Sequence, residues 1–243
     1  MKKILLLLPL VALLCSGLRV PDNEDIIAKT INSDSPYYYP NLLRRYMAND
    51  TTLTQTEYHY LYYGFTYTRD YRPLVSIPAK DDILRIFEFN AQPTREDFVR
   101  IIESAQEVMK YDPFSPSNLN FLVYAYGSLG DTVNEKIYFD KFLKVMNTID
   151  ESGTGEKESS PKHVLMFSHA NDFVTAKGYG AKSSQLVSNK VEYIFYNQRA
   201  ENGDRGMYFD YSRVYLVRPD EIPEREKGWT LNNAVPLGKN KDN

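Results

Sequence analysis

Three histidines, His59, His163 and His169, and two pairs of neighbouring carboxylates, Asp81 with Asp82 and Glu96 with Asp97, are the side chains best suited to chemistry in this sequence. Converging imidazoles hold zinc. His163 and His169, however, lie across an expected strand and turn and share no helical face, and scattered histidines are more often structural. Two carboxyl groups facing one cleft about 5–10 Å apart can cleave a glycosidic bond. Acidic residues near helix starts, where these pairs fall, are better accounted for by capping and the helix dipole. Cys15 is the single cysteine and sits in an N-terminal leader, so the rest of the chain has no thiol nucleophile, disulfide or thiolate zinc site. No Gly-x-Ser-x-Gly elbow, P-loop or dinucleotide fingerprint occurs. The sequence therefore assigns no catalytic, cofactor-binding or metal-ligating residue, and no cofactor is expected.

The leader is residues 1–17. Met1-Lys2-Lys3 precedes an apolar run from Ile4 to Leu14, and Cys15-Ser16-Gly17 follows. A cationic start, a short greasy segment and small residues at its end make a secretory signal peptide. The run is too short to span a membrane, so the mature chain is expected to have no transmembrane span. Cleavage after Gly17 gives a soluble periplasmic or secreted protein. Acylation of Cys15 gives a lipid-anchored one, although Leu14 is an unusual residue before a lipidated cysteine. Both fates export the chain.

The positions that could do chemistry must be held by what remains, about 226 residues, enough for one large domain or two small ones. The net charge of −3 falls to −5 without Lys2 and Lys3. No basic stripe survives, so a nucleic-acid partner is not expected. Of 20 tyrosines, ten fall between Tyr37 and Tyr71. Tyrosine joins an apolar body to a polar tip and suits half-buried helix faces and binding surfaces alike.

Helical periodicity runs over residues 18–149. Ile26, Ile27 and Ile31 share one face, Pro40 opens a second helix, and Thr54 with Glu57 has the capping-box spacing at the start of a third, which carries Tyr58, Leu61 and Tyr62 and ends near Gly64. Further helices are expected around 82–90, from Pro93-Thr94 to about Tyr111, from Ser115-Pro116 to Gly130, and onward from Asp131 with Ile137, Phe139, Phe142, Leu143 and Met146 inward. Residues 150–161 read as a polar linker. Residues 162–218 switch to short β-branched and aromatic runs, 163–167, 185–188, 191–196, 207–211 and 214–217, and residues 219–243 as a polar tail. Helices followed by strands give an α+β fold, a helical layer before an antiparallel β-meander.

Two resemblances follow from these residues. The Asp112-Pro113 stop, the Gly130-Asp131 turn, and Tyr126 and Phe139 beside it make the helical part resemble a tetratricopeptide hairpin, though Glu135 and Phe142 stand where that repeat has small residues. Ser35-Pro36-Tyr37-Tyr38-Tyr39-Pro40, Asp50-Thr51-Thr52-Leu53-Thr54, Glu57-Tyr58 and Leu61-Tyr62-Tyr63-Gly64-Phe65 resemble an uncharacterised exported bacterial family, domain of unknown function 4919, with Gly206-Met207-Tyr208-Phe209 resembling its β part. That resemblance implies no activity or ligand. The expectation is a non-catalytic envelope binding or scaffold protein whose partner is an envelope protein or a glycan. The alternative is an extracytoplasmic, carboxylate-based hydrolase.

Overall fold

The computed structural model describes residues 17–89 and 92–216. All but the last residue of the leader, and the polar tail, lie outside these residues. The chain is α+β: the described residues form eight α-helices, one short 3-10 helix and a four-stranded sheet.

Local signals place most helix ends. Asp22 accepts hydrogen bonds from the amides of Glu24 and Asp25 and starts α1 (Asn23–Thr30). Pro40 sits in the first turn of α2 (Tyr39–Met47). Thr54 and Glu57 form the expected capping box at α3 (Gln55–Gly64): the Glu57 amide donates to the Thr54 hydroxyl at 3.2 Å, and Glu57 Oε2 accepts from the Thr54 amide at 2.7 Å. Arg45 braces the same carboxylate and also donates from Nε to Asp50 at 2.7 Å. Helix α4 (Pro78–Phe89) is followed by α5 (Arg95–Val108), whose own box pairs Thr94 with Asp97. Ser115 caps α6 (Pro116–Leu129). Gly130 ends it with φ +80°, a left-handed turn that a side chain would resist. Asp131 then caps α7 (Thr132–Asp150), which packs along α6 and α3.

The centre of the molecule is α3. Every residue from Tyr58 to Gly64 is buried, so beyond its first turn this helix has no solvent face. Phe114, between α5 and α6, touches the rings of Tyr46, Tyr62 and Phe65 at centroid distances of 5.2–5.8 Å. The tyrosine hydroxyls tie distant segments together. Tyr46 donates to the Pro113 carbonyl at 2.7 Å, Tyr63 to that of His163 at 3.1 Å and Tyr71 to that of Leu165 at 2.6 Å. The last two bonds join the helical layer directly to the sheet region.

Three features depart from the sequence reading. First, the sheet is mixed. Its order is β1-β4-β3-β2, with β2 (Ala181–Leu186), β3 (Val191–Tyr196) and β4 (Gly206–Asp210) antiparallel and β1 (Lys162–His163) parallel to β4. The strand expected over 163–167 stops after His163, and Phe167–Ala176 forms helix α8. The parallel pairing requires such a crossover, because a two-residue hairpin joins only antiparallel strands. Residues 212–215 form a turn, with the Val214 amide bonded to the Tyr211 carbonyl, rather than the expected strand. Second, α1 buries Ile26 but exposes Ile27 and Ile31. Third, α7 keeps only part of the expected face: Met146 is buried and Phe142 packs against the core. Phe139 and Leu143 are exposed, while Tyr138, Lys141, Val145 and Ile149 point inward. Lys141 is held on this face: its ammonium lies 4.2 Å from the Tyr46 ring centroid and 5.0 Å from that of Tyr138, and donates to Asn49 Oδ1 at 2.6 Å. Burial lowers its pKa to about 8.

The connection 150–161 is pinned at both ends. Lys162 Nζ donates to the carbonyls of Asp150 and Gly153 at 2.7 and 2.6 Å and pairs with the Asp150 carboxylate at 2.8 Å. The Tyr208 amide donates to the Gly155 carbonyl at 2.8 Å, so this segment runs along β4.

Candidate functional site

The three histidines occupy three separate environments. His59, on α3, packs edge-on against the Tyr60 and Tyr63 rings. Burial, with help from Arg19 and Arg213, lowers its pKa to about 4, so it is neutral at pH 7. His163, at the end of β1, has Nδ1 3.6 Å from Asp210 Oδ1, outside hydrogen-bond reach. His169, on α8, is fully buried and bridges two elements. Among the described residues no group of three or more His, Cys, Asp or Glu side chains is placed to hold a metal ion.

The His169 bridge is the arrangement closest to catalytic chemistry, and the sequence reading missed it. Both Asp112 oxygens lie 3.1 Å from Nε2, and the Tyr62 hydroxyl lies 2.8 Å from Nδ1. An ionised carboxylate only accepts, so Nε2 carries the ring proton; in the neutral ring Nδ1 then accepts from Tyr62. The Tyr62 oxygen in turn accepts from the Leu165 amide at 3.4 Å. Carboxylate, imidazole and hydroxyl in this order resemble a nucleophile triad. Burial together with the neighbouring Tyr63 keeps the Tyr62 phenol well above its ordinary pKa, and Tyr62 and His169 are both fully buried. Asp112 alone reaches a small cleft of about 190 Å³, beside Lys80, Met166 and Ser168. The two inner members of the row, His169 and Tyr62, are thus sealed from solvent. Its members are 57 and 107 positions apart, and no spacing rule connects them.

The carboxylates weighed for glycoside hydrolysis are placed by local structure. Asp81 and Asp82 are exposed at the start of α4, Asp82 3.5 Å from Arg85. Asp97 is committed to the α5 capping box, while Glu96 points to solvent. Asp50 accepts from the Thr52 amide and hydroxyl and from Arg45; these bonds, the Thr52 hydroxyl's first, lower its pKa to about 2.

The open surface of the helical layer holds a different arrangement. A groove of about 630 Å³ runs along the outer face of α6, between α4 and α7. Phe87 of α4 stacks on Phe121 with ring centroids 5.5 Å apart, and Tyr124 lies 5.9 Å from Phe87 and edge-on to Phe98 of α5. Asn120, Ser128 and Glu135 supply the polar groups of the groove. Glu135 packs close over Gly127, where a Cβ would stand 3.0 Å from its carboxylate. Aromatic faces flanked by a few amide, hydroxyl and carboxylate groups are the ordinary make-up of a small-molecule site. The sequence signal for it is Tyr124, which falls on the face of α6 opposite the buried Leu119, Leu122 and Ala125.

A family model described as Domain of unknown function (DUF4919) matches residues 24–218. No curated protein and no solved structure matches the chain. Among the described residues no helix is long and apolar enough to cross a membrane.

Proposed function

The chain belongs to the family of Domain of unknown function DUF4919, and from that footing we propose that it is an exported, non-catalytic binding protein of the cell envelope that holds a glycan chain in the groove along α6. The observation that carries this reading is the groove itself. Its aromatic faces at Phe121 and Tyr124 suit the C–H faces of sugar rings, and Asn120, Ser128 and Glu135 suit their hydroxyls. The Asp112–His169–Tyr62 row supports a non-catalytic role, since a nucleophile must reach its substrate and Tyr62 does not reach solvent. Export rests on the Lys2-Lys3 start and the apolar run after it.

Titration of the chain beginning at Leu18 with neutral and charged oligosaccharides tests the reading. Saturable binding abolished by Tyr124→Ala supports it, and binding indifferent to Tyr124 and Glu135 removes it. Export is tested by N-terminal sequencing of the protein recovered from the envelope. Loss of residues through Gly17, or a labelled lipid on Cys15, supports it; a retained Met1 overturns it.

A further inference from the structure

The open end of the sheet gathers a second set of recognition groups, remote in sequence from the α6 groove and sharing no residue with it. On β2 the register jumps: Ala181 pairs with Tyr196 and Ser183 with Phe195, which leaves Lys182 as an extra residue with nothing opposite. Such bulges re-aim side chains and are common beside functional sites. On the other side of β3, the Tyr196 amide donates to the Arg205 carbonyl at 2.8 Å, which places Arg205 level with the same end of the strand. The loop leaving β3 carries Arg199 and is closed by the Ala200 amide on the Asp204 carbonyl at 2.9 Å. Strand β2 and the connection from β3 to β4 thus deliver three cations to one cleft of about 490 Å³, which Ser183, Phe195, Tyr196, Asn197 and Gln198 also line.

These cations are uncommitted. Among the described residues Lys182, Arg199 and Arg205 form no ion pair, whereas eight other lysines and arginines do. The nearest carboxylate along the loop, Asp204, accepts from Asn202 Nδ2 at 2.6 Å instead. Like charges gathered without a counterion repel one another, and an oxyanion entering among them relieves that repulsion. Guanidinium forks match the geometry of sulfate, phosphate and carboxylate oxygens. Beside them Phe195 is half-buried and continues into Tyr193 and Tyr208, with ring centroids 4.8 Å and 4.6 Å apart in succession. An aromatic platform next to an anion subsite fits a ring that carries an acidic substituent.

We infer that this cleft binds an anionic saccharide, its sulfate or carboxylate group seated among Lys182, Arg199 and Arg205 and its ring on Phe195. Single-stranded nucleic acid would also stack on aromatic rings, but it needs cations spread along several phosphates. Here three cations line one cleft in a chain of net charge −3.

Calorimetric titration of the chain beginning at Leu18, in low salt, uses four probes: a chondroitin sulfate hexasaccharide, a galacturonate hexamer, neutral maltohexaose and a thymidine decamer. The inference expects at least one acidic saccharide to bind, maltohexaose and the decamer to bind more weakly, and affinity to fall with added sodium chloride. The double variant Arg199→Gln/Arg205→Gln should lose at least about tenfold in affinity for the acidic saccharide. Its melting temperature should stay unchanged, because both side chains are exposed. Tyr124→Ala should leave this binding intact, so failure of the α6 groove and failure of this cleft are told apart. Binding of acidic saccharides that ignores the double variant overturns the inference. So does a decamer bound more tightly than either saccharide, or an absence of binding to all acidic probes at millimolar concentration.

Discussion

In α3, Tyr62 and Tyr63 are sealed from solvent and their hydroxyls are spent on His169 and the His163 carbonyl; on the sheet, Tyr193 and Tyr208 are half-exposed and neither hydroxyl bonds to a described residue. The same side chain does two jobs. A buried phenol needs a partner, because an unsatisfied hydroxyl away from water costs on the order of 1–3 kcal/mol. Each core tyrosine that finds one joins two segments that apolar side chains would only press together. A half-exposed phenol needs no internal partner and keeps its face and tip for something else. Crowding of tyrosines between Tyr37 and Tyr71 therefore marks the core, and the recognition aromatics lie elsewhere, at Tyr124 and on β3 and β4.

The sharpest way to break that comparison is to truncate one tyrosine from each side. Tyr62→Ala removes a buried ring and leaves His169 Nδ1 and the Leu165 amide without their partner. A loss of about 3–5 kcal/mol in urea unfolding is expected. Tyr193→Ala, on the sheet, should cost under about 1 kcal/mol. Equal losses would mean that the sheet aromatics are core as well.

Protonation gives the second test, somewhat smaller. His59 has a folded-state pKa of about 4 against an ordinary 6.5, so the unfolded chain binds a proton that the folded one refuses. Stability should be level above pH 6.5 and fall as the pH drops from 6.5 to 4, by roughly 2–3 kcal/mol. His59→Gln should flatten that slope while leaving the steeper loss below pH 4 from the carboxylates. Lys141 acts with the same sign in a higher window. Its folded pKa of about 8 lies below the unfolded value, so stability should rise from pH 8 to about pH 10, where tyrosines of the unfolded chain begin to lose protons that buried Tyr62 keeps.

Whatever depends on residues a few positions apart was legible in the sequence. The Thr54–Glu57 box, Pro40, Ser115-Pro116 and the Gly130-Asp131 turn all stand where the local pattern puts them. Burial of Tyr62 was legible too, from its place with Tyr58 and Leu61 on one stripe. The failures share a different cause. The inward face of α7 includes a lysine, which a pattern of apolar residues passes over, and Lys141 meets Tyr46 of a helix far along the chain. Helix α8 opens with aromatic and β-branched residues around it, so propensity favoured strand until the parallel β1–β4 pairing demanded a crossover. The His169 network and the cation cleft are assembled by tertiary contacts across more than twenty residues, where no periodicity reaches.

A smaller effect comes from the cap of α3. Thr54→Ala removes the acceptor for the Glu57 amide, and about 1 kcal/mol should be lost. Thr54→Ser keeps the hydroxyl and should restore most of it. If the alanine variant is neutral, Arg45 and Asp50 hold this end of the helix without the box, and the core around α3 is less dependent on its local start than the geometry indicates.

The smallest stability effect is expected at Tyr124, and that is what makes it informative. Its ring is 47 % exposed, so little apolar area leaves the core when it is cut back. It does touch Phe87 and Phe98, and aromatic pairs of this kind contribute about 0.5–1.5 kcal/mol in well-packed settings. On an open surface the lower end applies. Tyr124→Ala should therefore unfold within about 0.5 kcal/mol of the parent chain while losing the glycan binding assigned to the groove. Tyr124→Phe separates the two parts of the side chain: with the ring retained and the hydroxyl gone, binding should persist if the face is what the ligand meets. A Tyr124→Ala protein destabilised as severely as Tyr62→Ala would place the groove with the core, and the division of labour among the aromatics would then run differently from the one drawn between α3 and the surface.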